Sequence, residues 1–213
     1  MIHSHYESRF IYDLHPIRVV DYLRKSYGSE LTLSFSEYRY SPQSVFDERH
    51  VFEVSIDEVS VEWFSEKLAT LREGWDLALN SVVVDKRERR QHIPMIDFAK
   101  RCVEEDDIAL MRSVIGNALT SSFLYFDSGR SFHAYGLQLI GPGEWREFMA
   151  KLLLLNLPAS EHLIDARWVG HRLVAGYGAL RWSANSDFYL QVPRATQIKA
   201  VHSDRGALGY QSG

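Results

Sequence analysis

Strand and helix patterns follow one another in the order β-α-β-β-α-β between residues 92 and 182, and this order most constrains the fold. His92–Ala99 alternates as a strand does, and an acidic run followed by an apolar stripe then indicates a helix. Ser122–Phe126 and Ser131–Ile140 form a predicted hairpin, followed by a helix over Glu144–Leu155 and a strand over Gly178–Trp182. The order is typical of the ferredoxin-like unit, whose sheet carries helices on one face and leaves the other available.

Sequence patterns in the first third of the chain predict two helices and a pair of strands. Pro16 begins a helix that Gly28 ends, and Leu31–Tyr40 pairs with His50–Asp57. Ser60 caps a helix whose apolar stripe runs as far as Leu79. We assign the aromatic residues there, Trp63, Phe64 and Trp75, to packing rather than to base stacking. The prediction is an α+β protein with an N-terminal α/β lobe (residues 1–80) beside an RRM-like lobe (residues 81–213), packed as one compact unit.

Composition narrows the class of protein. With 213 residues, 46% hydrophobic and 24% charged, the chain can bury a core and is typical of soluble globular proteins. A single cysteine, Cys102, excludes internal disulfides and a multi-cysteine zinc site, so no zinc is expected and any metal needs oxygen ligands. The longest apolar run, Leu152–Leu155, is too short to span a bilayer, and the N-terminus lacks a secretory pattern. We therefore expect a cytoplasmic protein without a membrane partner.

Charge is distributed unevenly along the chain. The net charge of −4 argues against indiscriminate binding of duplex nucleic acid, but the acidic excess lies in residues 1–80. Basic residues in the turn Lys86–Arg90 either contact phosphates or simply keep a loop solvated. Four later arginines are further candidates for phosphate contact: Arg167, Arg172, Arg181 and Arg194.

A turn rich in phosphate-binding groups precedes a strand that begins with a histidine. Ser128 offers a hydroxyl, Gly129 allows a backbone N–H to approach closely, and Arg130 offers a planar guanidinium. His133 follows near the start of the strand. The pattern indicates a polyanion site, and the alternative is a hairpin turn with an incidental histidine.

Two carboxylates are positioned to meet that histidine on the available face of the sheet. Asp97 lies on the first strand of the unit, and Asp165 lies just after its second helix. Carboxylates brought together suit Mg²⁺ or Mn²⁺, which also bind nucleotide phosphates. Each residue also has a structural interpretation: Asp97 as the cap of a turn, Asp165 as the start of a helix, and His133 as a core histidine.

Three segments together resemble the motifs of the archaeo-eukaryotic primase superfamily: Ile93–Asp97, Ser128–His133 and Leu163–Asp165. The resemblance implies an RRM-like core in which Asp97 and Asp165 hold Mg²⁺ or Mn²⁺. It also implies that His133, with the turn formed by Ser128, Gly129 and Arg130, contacts an incoming nucleoside triphosphate. The segment Arg172–Arg181 resembles the one after the third motif, and Arg181 would supply supporting charge near the nucleotide.

One position departs from that pattern. The first motif of the superfamily usually carries two acids separated by one residue, and Ala99 stands in the second place. Because carboxylates position the metal ions in two-metal transfer, the departure leaves two functions open. One is a metal-dependent nucleotidyltransferase of primase or polymerase type, acting on a DNA or RNA template. The other is a degenerate module that binds nucleotide or nucleic acid and acts through a helicase or another replication or defence protein. A metal-dependent nuclease is less favoured, because the face supplies few acids.

Overall fold

The computed structural model describes residues 14–44 and 48–197. Two antiparallel sheets lie at its centre, and helices cover them from outside. The described helices are α1 (Arg18–Tyr27), α2 (Val61–Thr70), α3 (Glu105–Ile115), α4 (Asn117–Thr120), α5 (Pro142–Leu153) and α6 (Ala166–Ala175). The described strands are β1 (Leu31–Arg39), β2 (Glu48–Ser55), β3 (Asp76–Asp85), β4 (Arg90–His92), β5 (Met95–Asp97), β6 (Phe123–Asp127), β7 (Phe132–Gly136), β8 (Ala179–Arg181) and β9 (Arg194–Thr196). The α+β class predicted from the sequence is confirmed.

The first sheet has the order β2-β1-β3-β4, with β8 pairing with β3 beside β4. The predicted hairpin of β1 and β2 is confirmed, with Phe35 opposite Phe52. Ser60 caps α2 by accepting a hydrogen bond from the Trp63 amide at 3.2 Å, as expected. The predicted extension of this helix to Leu79 is wrong, because the chain turns at Gly74 with φ of +73° and continues as β3. Phe64 and Trp75 are buried, as the packing assignment required.

The second sheet has the order β5-β7-β6-β9. The hairpin of β6 and β7 is confirmed, although β7 ends at Gly136 because Ile140 pairs with His92 instead. The acidic first turn of α3 forms the expected capping box, with the Glu104 amide donating to the Asp107 carboxylate at 2.9 Å.

The fourth strand of the predicted β-α-β-β-α-β unit was assigned to Gly178–Trp182, and this assignment is wrong. Residues 179–181 form β8 and pair with β3 of the first sheet. The place beside β5 is taken by a bridge between Phe98 and Ile164. A three-residue strand carries too little pattern to specify its partner, which only the tertiary structure decides.

The predicted strand His92–Ala99 is divided between the two sheets. His92 ends β4 in the first sheet, and Met95 begins β5 in the second. Pro94 cannot donate a backbone hydrogen bond and marks the crossing point. The approach is close, because a Cβ added to Gly136 would lie 3.0 Å from the Pro94 Cβ.

The sheet face that we expected to be available is largely buried. Met95, Phe126 and Tyr135 of the second sheet share a hydrophobic core with Leu79 and Val83 of the first. A second core lies on the opposite face, where α3 and α5 pack on β5, β6 and β7. Alternation along β5 and β7 therefore directs Asp97 and His133 toward the first sheet, into the space between the two sheets. The division of the chain at residue 80 stays a prediction.

None of the helices in the described ranges is long and apolar enough to cross a membrane.

Candidate functional site

Asp97 and His133 lie side by side because their strands pair antiparallel in register. Asp97 is the Cα partner of His133 across β5 and β7. Their side chains approach with 3.7 Å between His133 Nε2 and Asp97 Oδ1, and 7% of the histidine side chain remains exposed. The buried Nδ1 of His133 has no hydrogen-bond partner among the residues described. A polar atom left in this way is available to a ligand.

Asp165 reaches the same place from the chain segment beside β5. Its amide donates to the Asp97 carbonyl at 3.0 Å, next to the bridge between Phe98 and Ile164. Asp165 Oδ1 accepts from the Trp168 amide at 2.9 Å and so caps α6. The structural interpretation as the start of a helix is therefore confirmed, although it uses one carboxylate oxygen only.

Burial shifts the pKa values of the two paired groups, Asp97 and His133, in opposite directions. Burial raises the pKa of Asp97 to about 8, the charge of Asp165 adds to this rise, and Arg181 opposes it. Burial lowers the pKa of His133 to about 3, and Arg181 adds to that lowering. The histidine is therefore neutral at physiological pH, and Asp97 ionises readily only when a positive charge enters the site.

Arg181 lies at this site but is already engaged by the protein. Its guanidinium donates to the carbonyl oxygens of Ser183 at 2.8 Å, of Gln191 at 2.7 Å and of Ser128. It also stacks over the Tyr189 ring, with 4.2 Å to the centroid. Arg181 therefore holds the walls of the site together while it contributes positive charge.

The turn before His133 lies against the site rather than inside it. The Ser128 hydroxyl donates to the Ser131 carbonyl at 3.0 Å, and the Gly129 amide donates to Asp127 Oδ1 at 2.7 Å. The cavity that contains Asp97 and His133 is not lined by Ser128, Gly129 or Arg130. The phosphate-binding roles assigned to them from the sequence stay predictions.

An open cavity contains the carboxylates and the histidine. Its walls come from β1, the β1–β2 connection, β2, β3, β5, β7, Asp165 with α6, β8 and Tyr189. The residues brought together include the predicted Asp97, His133, Asp165 and Arg181, together with Tyr38, Tyr40, Arg49, Arg167, Trp168, His171, Arg172 and Tyr189.

Sequence reasoning missed much of this wall. The arginines of α6 were candidates for phosphate contact, but nothing in the spacing of His171 indicated a place in the site. Tyr38 and Tyr189 lie 151 residues apart and meet through a 2.8 Å contact between their hydroxyl oxygens. No local pattern marks such a pair. His3 and His5, whose spacing does not indicate a metal site, lie outside the described residues.

Asp76 is a further residue of structural importance that no sequence pattern indicated. It is fully buried on β3. Its carboxylate accepts from the Ser183 hydroxyl at 2.6 Å, the Asn185 amide at 2.7 Å and the Ser186 hydroxyl at 2.6 Å. Asp76 thereby anchors the segment that carries Tyr189 into the cavity wall.

Ala99 stands where a second acid was expected. Its amide donates to the Leu163 carbonyl at 2.9 Å, which continues the pairing beside β5, and the residue is exposed. Within residues 14–44 and 48–197, no group of three or more His, Cys, Asp or Glu residues is arranged to hold a metal ion.

The basic turn Lys86–Arg90 connects β3 and β4, away from the residues that line the cavity. Lys86 pairs with Glu30, and Arg89 pairs with Asp85 at 2.6 Å. These ion pairs favour the interpretation of the turn as a solvated loop.

Comparisons with known proteins give a family and one structural match. The model of a family described as archaeo-eukaryotic primase 1D-like, or AEP-like, matches residues 55–194. No curated protein matches the chain. The solved catalytic domain of primase RepB', in complex with initiator DNA, is 16% identical and matches over 84% of this chain and 82% of its own, with a TM-score of 0.46. The family match contains Asp97, His133, Asp165 and Arg181, whereas Tyr38, Tyr40 and Arg49 of the cavity wall precede it.

Proposed function

The chain belongs to the archaeo-eukaryotic primase 1D-like family, and from this premise we propose that it is a nucleotidyltransferase. In this proposal it joins a nucleotide from a nucleoside triphosphate to a DNA or RNA strand, with the help of Mg²⁺ or Mn²⁺. One observation carries the proposal: Asp97, Asp165 and His133, contributed by three separate segments, converge in one open cavity.

The donor set of the cavity fits a divalent cation of this kind. Mg²⁺ is usually held by one or two carboxylates together with substrate phosphates, so a pair of aspartates without a third protein ligand is sufficient. The raised pKa of Asp97 has burial as its main cause and the charge of Asp165 as its second, and a cation held by these carboxylates would offset both. When bound, the ion would stabilise charge on the attacking and leaving oxygens.

The other residues of the site would bind and orient the triphosphate. His133 lines the cavity and its Nδ1 has no hydrogen-bond partner among the described residues, and a neutral imidazole can donate a hydrogen bond to a phosphate oxygen. Arg167 and His171 of α6 line the same cavity and offer further N–H donors to phosphate oxygens. Arg181 keeps β8, the turn before His133 and the Tyr189 segment in register, which preserves the geometry that transfer needs.

Nucleotide incorporation tests this proposal. Wild-type protein is supplied with Mn²⁺, labelled nucleoside triphosphates, and primed and unprimed DNA and RNA templates. We expect labelled product, and we expect Asp97→Asn to abolish it while the circular dichroism spectrum is unchanged. No product on any template would contradict nucleotidyl transfer.

The degenerate binding module is the second candidate, and two observations favour it. Ala99 replaces the second acid of the first motif, and one oxygen of Asp165 is already used to cap α6. Such a module would bind nucleotide or nucleic acid and transmit that binding to a helicase or another replication or defence protein. Binding of labelled nucleoside triphosphate that survives chelation and is lost in His133→Ala, without any turnover, would select this function. Binding that strictly requires metal and leads to product would remove it.

A further inference from the structure

A stripe of exposed apolar side chains leads away from the mouth of the cavity. It consists of Tyr40, Phe188 and Leu190, which are 43%, 42% and 66% exposed. The rings of Tyr40 and Phe188 meet edge to face, with 5.2 Å between centroids and an interplanar angle of 75°. Tyr40 also lines the cavity, so this aromatic stripe is continuous with it. Large aromatic rings exposed side by side require an explanation, since burial would otherwise be favoured.

A buried layer holds the stripe in place. The Tyr189 ring lies under the guanidinium of Arg181 and 6.1 Å from the Tyr40 ring, and its hydroxyl contacts that of Tyr38. The preceding segment is fixed by the three hydrogen bonds to Asp76. The exposed rings are therefore pre-organised, and a ligand would lose little by ordering them.

Positive charge lies at the far end of the stripe. A Cβ placed on Gly129 would be 3.2 Å from the Leu190 Cβ, so the stripe touches the turn that carries Arg130. Arg194 lies on the neighbouring strand, opposite Asp127. Both arginines are exposed, and neither side chain makes a hydrogen bond or ion pair within the described part of the chain. Two unpaired guanidinium groups beside apolar surface suit a ligand that carries phosphates as well as flat apolar faces.

We propose that the aromatic stripe is a docking site for single-stranded nucleic acid. Bases stack on Tyr40 and Phe188, phosphates contact Arg130 and Arg194, and the strand runs into the cavity past Tyr40. Stacking supplies much of the affinity, because exposed Asp187 next to Phe188 offsets part of the positive charge. A duplex keeps its bases stacked on one another and cannot offer them to these rings. The inference rests on the proposed function, in which such a strand is the one extended or copied.

Fluorescence anisotropy of a labelled single-stranded thymidine oligonucleotide tests the site, with a duplex of the same length for comparison. We expect Tyr40→Ala and Phe188→Ala each to weaken binding of the single strand about tenfold, the scale of one lost base stack. Tyr22→Ala, which removes an exposed tyrosine from α1, is the matched control and should bind as wild type does. Phe188→Trp should restore binding, and its indole fluorescence should be quenched by the strand.

Salt dependence tests the two arginines separately. Arg130→Gln and Arg194→Gln should each reduce the slope of log affinity against log salt concentration by about 0.7, the value for one phosphate contact on a single strand. Unchanged slopes in both variants would overturn the assignment of the phosphates.

Binding of a labelled nucleoside triphosphate by the wild-type protein is measured with Mn²⁺ alongside the oligonucleotide experiments. This measurement separates a failure of the docking site from a failure of the proposed function. If Phe188→Ala weakens strand binding while wild type binds no nucleotide, the docking site stands and nucleotidyl transfer fails. If wild type binds nucleotide but Tyr40→Ala and Phe188→Ala bind the single strand normally, the docking site is overturned alone. An equal loss of duplex binding in these two variants would also overturn it, because stacking on unpaired bases would not be the cause.

Discussion

Arg181 donates a hydrogen bond to the carbonyl oxygen of Ser128 and so ties the first sheet to the turn that precedes His133. The same guanidinium reaches the carbonyls of Ser183 and Gln191, while the backbone of Arg181 pairs with Ala78 on β3. A single side chain therefore sets the distance between His133 and the wall that carries Tyr189.

Arg181→Lys should destabilise the protein, because an ammonium group cannot span the three carbonyls that the planar guanidinium reaches. Leaving buried acceptors unpaired predicts a loss of about 2–4 kcal/mol in the free energy of unfolding, measured by urea denaturation. Arg130→Lys, on the exposed turn, is the control and should stay within about 0.5 kcal/mol of wild type. Equal stability of the two variants would contradict the bracing role of Arg181.

Two substitutions of Asp165 separate its capping role from its proposed role as a metal ligand. Asparagine caps helices as well as aspartate does, so Asp165→Asn should keep its stability and lose Mn²⁺-dependent nucleotide binding. Asp165→Ala should lose that binding and also about 1 kcal/mol of stability. Thermal unfolding and binding of a labelled nucleoside triphosphate measure the two effects. Normal metal-dependent binding by Asp165→Asn would argue that this carboxylate is a cap and nothing more.

Ala99→Asp should strengthen Mn²⁺ binding severalfold by restoring the missing acid of the first motif. Backbone pairing beside β5 continues at this residue, so alternation places its side chain on the same side as Asp97. Electron paramagnetic resonance of free Mn²⁺ gives the affinity directly. Ala99→Asn has the same size without the charge and should show no gain; if it does gain, charge is not the reason.

The free energy of unfolding should fall as the pH is lowered from about 6.5 to 4. Burial lowers the pKa of His15 and of His92 to about 4 and that of His133 to about 3, so in this range the unfolded chain takes up protons at three histidines that the folded protein does not. The raised pKa of Asp97 opposes this with one proton at most, so the histidines decide the sign. His92→Gln removes one such group and should make the slope shallower by up to one proton, or about 1.4 kcal/mol per pH unit. Urea denaturation at a series of pH values measures this slope. An unaltered slope would mean that His92 does not resist protonation.

Gly129→Ala should destabilise the turn before His133 by about 1–3 kcal/mol, because its φ of +99° disfavours a side chain and the new Cβ would lie 3.1 Å from Gln191 Cγ. Gly170→Ala offers the opposite case within α6, where nothing lies within 4 Å of the added Cβ. That change should stabilise the protein by about 0.5–1 kcal/mol, as expected for a helix interior. Differential scanning calorimetry of both variants checks the pair. A stable Gly129→Ala protein would show that the turn can relax.

Local signals predicted the elements whose determinants are close in sequence. Alternation and turn residues gave the β1–β2 and β6–β7 hairpins, and the acidic run gave the cap of α3. Long-range partners were not predictable in this way. The pattern of residues 179–181 indicates a strand but contains nothing that selects β3 as its neighbour.

The candidate site also contains some residues that local patterns predicted and others that depend on long-range contacts. Alternation in two strands was enough to bring Asp97 and His133 to one face, and chain order brought Asp165 near them. The contact between Tyr38 and Tyr189 and the three hydrogen bonds of Asp76 join segments more than 100 residues apart. No periodicity in one sequence encodes such contacts, so these parts of the wall had to be found in the structure.

The crossing at Ile93 and Pro94 has a consequence for motion. The chain passes from one sheet to the other within two residues, and the Gly136 amide pins the crossing by donating to the Pro94 carbonyl at 2.7 Å. Asp97 follows this crossing directly, so its position is fixed relative to both sheets at once. Asp97 is therefore braced from both sheets. We expect any adjustment to a strand and a nucleotide to occur instead in the segment that carries Ser44, whose carbonyl accepts a hydrogen bond from Arg167.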